Sequence, residues 1–241
     1  MKQFVIVLRD YPKSERFHTE AIKAFQLHGW NVERYDAVDA RVFDLEEELQ
    51  KRNLFISENI KKIDKPIVNP GAQGCFFSHY DLWRKCIELN ETIAILEEDA
   101  IAIAPPSMED FEDVLKMRLG HETQDAILKK TTIFGQFRVG ADCYLIKPTG
   151  AKKLINWCAA NGICAPDLLL GDAIVDVKYS ITDLFELHPE ANLPGYRNST
   201  TAKRNKDLLD PPINETATNK KPTQINRPAM IGTVKIDKKI K

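Results

Sequence analysis

No stretch of this 241-residue chain approaches the 18 or so consecutive apolar residues that a membrane-spanning helix needs. The opening MKQFVIVLRD has an apolar run of only Phe4 to Leu8. That is shorter than the roughly 7–15 residues of a secretory leader's apolar core. It reads instead as a first strand and predicts a protein kept in the cytoplasm, at most peripheral to the inner face of a membrane. A Cys-x-x-Cys pair is also missing. The five cysteines, Cys75, Cys86, Cys143, Cys158 and Cys164, are odd in number and scattered. Such spacing fits neither a disulfide framework nor a zinc site, so reduced and mostly buried thiols are expected. The Asn-x-Ser/Thr triplets at Asn90, Asn198 and Asn214 then predict no glycosylation. The chain also lacks an internal repeat.

What is present is an ordinary globular composition, 43% hydrophobic and 29% charged, in a chain long enough to bury a core. The formal net charge of −1 is unevenly spread. Residues 203–241 hold ten Lys/Arg against four Asp/Glu, or +6, which leaves −7 for the rest. Pro, Asn, Thr and Lys dominate there and periodicity is lost. We therefore read residues 1–202 as one domain and 203–241 as a basic, extended or mobile tail able to meet an anionic partner.

Phe4 to Leu8 has the continuous apolar, β-branched character of a strand buried on both faces. Ser14 is placed to cap a helix running to about His28, which Gly29 ends, and Asn31 to Tyr35 gives a second strand. This β-α-β opening predicts a parallel sheet. Residues 44–62 are charged and helical in pattern. Asn69-Pro70-Gly71 breaks the chain before a helix from about Gln73 to Leu89. Ser107 with Asp110 resembles a capping box that opens a helix to about Leu119. Short strands are expected near Thr131 to Phe134 and Cys143 to Ile146, with a helix after Pro148.

Thr92 to Leu96 is another buried-strand run, and Glu97-Glu98-Asp99 follows at once. Ligands of open α/β sheets sit beyond the carboxyl ends of the strands. Carboxylates gathered there repel one another unless a cation joins them. A hard divalent ion with oxygen ligands, Mg²⁺ or Mn²⁺, would do so and could also hold a diphosphate. A plain solvated strand end remains the alternative on spacing alone.

Residues Gly71 to Trp83, read as G-A-Q-G-C-F-F-S-H-Y-D-L-W, resemble the G-x-x-G-C-x-x-S-H-x-x-L-W stretch of glycosyltransferase family 25. That family includes lipooligosaccharide and procollagen galactosyltransferases. Its I-L-E-D-D motif matches Ile95-Leu96-Glu97-Glu98-Asp99 at the expected interval, with Glu98 in place of Asp. Ala37-Val38-Asp39-Ala40 is similar to A-V-D-G. Gly140 to Ile146 with Gly150 to Leu154 resembles G-x-x-x-Y-L-I…G-A-x-K-L. The N-terminal N-L-D-R type sequence is replaced by Val7-Leu8-Arg9-Asp10, and residues 156–200 match poorly.

The resemblance implies an α/β fold of the GT-A, nucleotide-diphospho-sugar transferase type, with a mostly parallel central sheet and helices on both faces. It implies transfer of a hexose, galactose or glucose, from a UDP-sugar to a saccharide or lipooligosaccharide hydroxyl, with inversion and with Mn²⁺ or Mg²⁺. Asp99 is the first metal ligand it suggests, with Glu97 and Glu98 beside it, Glu97 alternatively holding the donor ribose. Gly71, Gly74, Ser78, His79 and Arg197, with Ser199, are implied on the donor side. Asp167, in a segment resembling P-V-D, and Asp172 are rival candidates for the base that takes the acceptor's proton. Two other readings stay open. One is a sugar transferase acting on DNA bases through the basic tail. The other is a sugar-nucleotide-binding protein without turnover, suggested by Glu98 and the altered N-terminus.

Overall fold

The apolar run near the N-terminus forms β1 (Lys2–Val7), whose Phe4, Val5, Ile6 and Val7 are all buried. The computed structural model describes residues 1–107, 109–118, 129–131, 133–137 and 140–192. The readings of 203–241 as a tail, and of Arg197 and Ser199 as donor contacts, lie outside the described residues. After β1 come α1 (Pro12–Leu27), β2 (Glu33–Asp36), α2 (Leu45–Arg52), α3 (Glu58–Ile63) and α4 (Pro70–Leu89). These are followed by β3 (Ile93–Glu97), β4 (Ala100–Ala102), β5 (Val114–Lys116), β6 (Lys129–Thr131), β7 (Gly135–Phe137) and β8 (Cys143–Ile146). The described elements close with α5 (Pro148–Asn161), α6 (Pro166–Leu169), β9 (Val177–Tyr179), β10 (Phe185–Leu187) and a 3₁₀ turn at Pro189–Asn192.

The fold is α/β. Six strands form the central sheet in the order β2-β1-β3-β8-β5-β9. β1 runs parallel to β2 and β3, and β5 parallel to β9, while β8 is antiparallel to both of its neighbours, β3 and β5. All the strands but β8 therefore share one direction, as the β-α-β opening predicts. β4 and β10 make a separate antiparallel ribbon, and β6 and β7 a hairpin.

Alternation along the strands divides the core in two. Phe4, Ile6, Ile93, Ile95, Val114, Tyr144 and Ile146 point to one face and pack on α4 and α5. Val5, Val7, Ala94, Leu96, Leu115 and Leu145 point to the other and pack with Ala21 and Phe25 of α1. Helices thus cover both faces. α4 contributes most to the first layer: Phe76, Phe77, Tyr80, Leu82 and Trp83 are all buried. Each such side chain stabilises by about 1.5–3 kcal/mol relative to exposure.

Three local expectations are corrected. Ser14 does not cap α1. The helix begins at Pro12 with Tyr11 in the cap position, and the buried Ser14 hydroxyl instead accepts the Leu8 N–H at 2.8 Å. Asn69-Pro70-Gly71 is the start of α4 rather than a break before it. The Asn69 side chain accepts the Ala72 N–H at 2.8 Å, and Pro70 takes the first turn, where its missing N–H costs nothing. The helix expected after Ser107 is absent. Val114, Leu115 and Lys116 form β5, held between β8 and β9, because the buried Val-Leu-Lys-Met run satisfies both faces of the sheet. The local capping signal there is overridden by tertiary pairing.

Candidate active site

The third, fourth and fifth strands of the sheet, β3, β8 and β5, bring their chemistry to one end of it. β3 ends at Glu97, and the reversed β8 begins there, so the Glu97 N–H donates to the Asp142 carbonyl at 2.8 Å. Because side chains alternate, Ile93, Ile95 and Glu97 share the α4 face. So do Ile146 and Tyr144 on β8 with Asp142 just before it, and Val114 and Lys116 on β5 with Arg118 just past it. This register sets Arg118 opposite Asp142, and the guanidinium grips the carboxylate through Nε at 2.6 Å and Nη2 at 2.9 Å. Both are nearly buried, and Arg118 holds Asp142 below the usual carboxylate range although burial alone would raise it. Lys116 is buried beside them. Its ammonium is lowered to about 8 by loss of water, against the pull of Asp142 and Asp167.

Cys75 and His79 lie four residues apart on α4 and so share one helix face, which looks at the end of β3. The Cys75 thiol reaches Glu97 Oε1 at 3.8 Å and His79 Nε2 lies 3.2 Å from the same oxygen. His79 Nδ1 meets the Tyr144 hydroxyl at 2.8 Å, and that hydroxyl accepts the Trp83 indole N–H at 2.9 Å. When Glu97 is ionised, one proton order satisfies every group. Trp83 donates to Tyr144, Tyr144 to His79 Nδ1, and His79 Nε2–H to Glu97. Burial lowers His79 to about 4, so the imidazole is neutral at pH 7. His79 therefore orients a carboxylate.

Glu98 and Asp99 form the turn between β3 and β4. The Asp99 carbonyl accepts the His188 N–H at 2.7 Å, which fixes the turn from the far side. His188 is itself stacked on Phe17 at 4.1 Å and bonded to Glu20 at 2.7 Å. Asp99 Oδ1 is buried with no hydrogen-bond partner. Burial, then Glu97, Glu98 and Asp142, raise the Asp99 carboxyl well above its ordinary range. Glu97 is raised to about 7 by burial and then by Asp142 and Asp167, and Glu98 to about 7 by burial and then by Glu97. All three acids are thus held toward their neutral forms.

Residues 1–134 match the family described as Glycosyltransferase family 25 (LPS biosynthesis protein), which is more than half of the 241 residues. The chain belongs to glycosyltransferase family 25. Within it, a Glycosyltransferase 25 family member of Anopheles gambiae is 30% identical over 93 residues, which are 39% of this chain and 16% of that protein. Lipooligosaccharide biosynthesis protein lex-1 of Haemophilus influenzae is 28% identical over 149 residues, 51% of this chain and 49% of that protein. The chain thus spans half or less of the length of these curated relatives. A solved Drosophila β1,4-galactosyltransferase 7 mutant, in complex with manganese, UDP-Gal and xylobiose, is similar with a TM-score of 0.42 and 11% identity, covering 86% of this chain and 78% of that one.

Against this family background, the residues singled out by sequence fall into groups. Glu97 and His79 meet at the sheet edge, and Glu98 and Asp99 occupy the turn that follows, close enough for Glu97 to raise both of their carboxyls. Asp167, on α6, joins them through its field on Glu97, His79 and Lys116. Asp172 stands apart. It is exposed, and its Oδ1 accepts the Gln136 N–H at 2.7 Å, tying down β7. Gly71 is exposed in the first turn of α4. Gly74 and Ser78 hold the Ala37–Ala40 segment. A Cβ on Gly74 would sit 2.5 Å from the Val38 carbonyl oxygen, and the Ser78 hydroxyl accepts the Val38 N–H at 2.9 Å. The A-V-D motif and the G-C-x-x-S-H motif therefore face each other across one contact. Gly74→Ala is expected to destabilise the fold by about 1–3 kcal/mol, because a backbone carbonyl cannot swing away as a side-chain tip would. Urea unfolding measures it, and a loss under about 0.5 kcal/mol would contradict the close approach.

Lys116, Arg118 and Asp142 escaped the sequence reading of the site. Asp142 lay in a quoted motif, but only the antiparallel run of β8 sets it beside Glu97.

The raised acids carry a sign. A carboxyl whose folded pKa lies above its unfolded value near 4.3 stabilises below that pH and loses the contribution as pH climbs through the folded value. For Glu97 and Glu98 that window runs up to about 7. The melting temperature of metal-stripped protein should therefore fall between pH 5 and about 7.5, and Mn²⁺ should restore more at the upper end. A melting temperature that rises across this interval in chelator would contradict the arrangement.

Proposed function

We propose that the chain is a GT-A type hexosyltransferase that binds a UDP-sugar with Mn²⁺ or Mg²⁺ at the edge where β3 ends. The reading rests on one observation: Asp99 Oδ1 is buried without a partner beside Glu97 and Glu98, whose carboxyls, like its own, are raised above their ordinary range. The donor set fits the ion, since Asp99, Glu98 and Glu97 offer oxygen only, which suits hard divalent cations. The extra methylene of Glu98 changes the reach of that ligand but not its chemistry. Once bound, the ion would neutralise charge on the departing nucleoside diphosphate.

The chain's own groups do the rest. Asp99 and Glu98 supply charge at a turn that His188 holds in place. His79 and Tyr144 fix the Glu97 carboxylate. Lys116 and Arg118 balance the acids from the β5 side. Asp167, half-buried and near enough to influence Glu97 and Lys116, is our candidate for the base that takes the acceptor hydroxyl's proton as the sugar inverts. Asp172 is engaged with β7. Asp167→Asn should lower the transfer rate by about 10²–10⁴-fold while leaving donor affinity near that of the parent. Equal loss of donor affinity and rate would place Asp167 in donor binding instead.

The family's description and the name of the Haemophilus relative support a saccharide acceptor, such as a lipooligosaccharide. The DNA-modifying reading depends on the basic segment 203–241, and the described residues contribute nothing to it. No helix among the described residues is long and apolar enough to cross a membrane. A thermal-shift panel of UDP-sugars with and without Mn²⁺ tests the function. One UDP-hexose should raise the midpoint only when the ion is present. A shift without turnover would favour the non-catalytic reading, and no shift with any UDP-sugar would remove the donor class altogether.

A further inference from the structure

We propose that Cys75, His79 and Glu97 form a second cation site, for a borderline-soft divalent ion of the Zn²⁺ type, on the α4 side of the Glu97 carboxylate. The sequence did not show it, because two ligands come from one helix turn and the third from a strand eighteen residues on. The structure brings one ligand atom from each to within 4.8 Å of the other two. It is the one such group of three or more His, Cys, Asp or Glu residues among the described residues. Around a tetrahedral Zn²⁺, with bonds of about 2.0–2.3 Å, ligand atoms stand roughly 3.3–3.7 Å apart. The observed 3.2 Å from His79 Nε2 to Glu97 Oε1 and 3.8 Å from Cys75 Sγ to the same oxygen bracket that spacing.

The chemistry of the donors separates this site from the oxygen-only one. Thiolate and imidazole favour Zn²⁺ over Mg²⁺ or Mn²⁺, whereas Glu98 and Asp99 favour the reverse. The surroundings also suit a metal-bound imidazole, which needs its second nitrogen to donate to a fixed acceptor. Tyr144 provides it: its hydroxyl lies 2.8 Å from His79 Nδ1 and accepts Trp83, leaving a lone pair for a second N–H. On binding, the Cys75 proton leaves to solvent and the His79 proton moves from Nε2 to Nδ1. The three protein ligands leave a fourth position open. Cys75 and Glu97 are each part-exposed, which gives the ion a way in.

Glu97 belongs to both sites. Zn²⁺ held on the α4 side therefore withdraws Glu97 from the ion that holds the diphosphate, so Zn²⁺ inhibits transfer. This consequence, unlike the binding itself, rests on the function proposed above.

Co²⁺ titrated into the metal-stripped full chain is the probe. A thiolate-to-cobalt charge-transfer band should appear, be bleached by Zn²⁺, and be absent in Cys75→Ser. No band in the parent protein, or an equal band in Cys75→Ser, would overturn the site. Alkylation needs no variant. Cys75 is the one free cysteine of the five that is not buried, and Zn²⁺ should slow its reaction with iodoacetamide at least about tenfold. An unchanged rate would overturn the site as well. In turnover assays with Mn²⁺, micromolar Zn²⁺ should inhibit the parent but not Cys75→Ser, each against its own zinc-free rate. A protein that shows the band yet turns over no UDP-sugar refutes the transferase reading and leaves the zinc site standing.

Discussion

Asp99→Asn is expected to lower donor turnover by about 10³-fold or more. The substitution keeps the shape of the side chain and removes the charge that the unpartnered Oδ1 would lend to the ion. A catalytic divalent metal supplies several kcal/mol of stabilisation to the developing charge, and each 1.36 kcal/mol is tenfold in rate. Stability should move the opposite way. Burial and the neighbouring acids Glu97, Glu98 and Asp142 all push the Asp99 carboxyl towards its neutral form. An amide removes that conflict, so the variant stripped of metal should melt no lower than the parent at pH 7.5 and should gain less from Mn²⁺. Initial rates of UDP release at saturating Mn²⁺, with melting curves in chelator, check both halves. A variant that melts several degrees lower while keeping a rate within a few-fold of the parent would mark Asp99 as structural.

Arg118→Ala should be the most destabilising single change at the site, by about 3–5 kcal/mol, because it strands the Asp142 carboxylate in a nearly dry position. Lys116 offsets part of this, since it already helps to hold Asp142 ionised. Removing both partners together should cost less than removing Arg118 alone, the mark of a buried charge left unpaired. Equilibrium unfolding of the two single variants and the double variant measures the coupling. Strict additivity would show that the pair contributes nothing as a pair.

How much of this was visible in the sequence depends on where each signal lives. The strand-then-acids order of Ile93 to Asp99 was legible because a run buried on both faces is continuous and apolar, and its end is marked by the first charge. The same reasoning found β1, β2, β8 and α5 within a few residues. Lys116 was hidden by a competing local signal: Ser107 and Asp110 suggested a helix, and only pairing with β8 and β9 makes the segment a strand. Asp142 and Arg118 were hidden for a different reason. Their meeting depends on β8 running against its neighbours, a property of topology that no window of residues carries. Gly74 and Ser78 were singled out by motif, yet the contact they make with Val38 emerged only from packing. The link from His79 through Tyr144 to Trp83 likewise joins residues 61 to 65 positions apart.

The most direct test of the central claim is a calorimetric titration of UDP into the full chain, once with Mn²⁺ and once with chelator, for the parent and for Asp99→Asn. Carboxylates that hold an ion for the diphosphate predict saturable binding by the parent in Mn²⁺, and little or none in chelator or in the variant. Equal UDP affinity in all of these conditions, or no affinity in any, would contradict it.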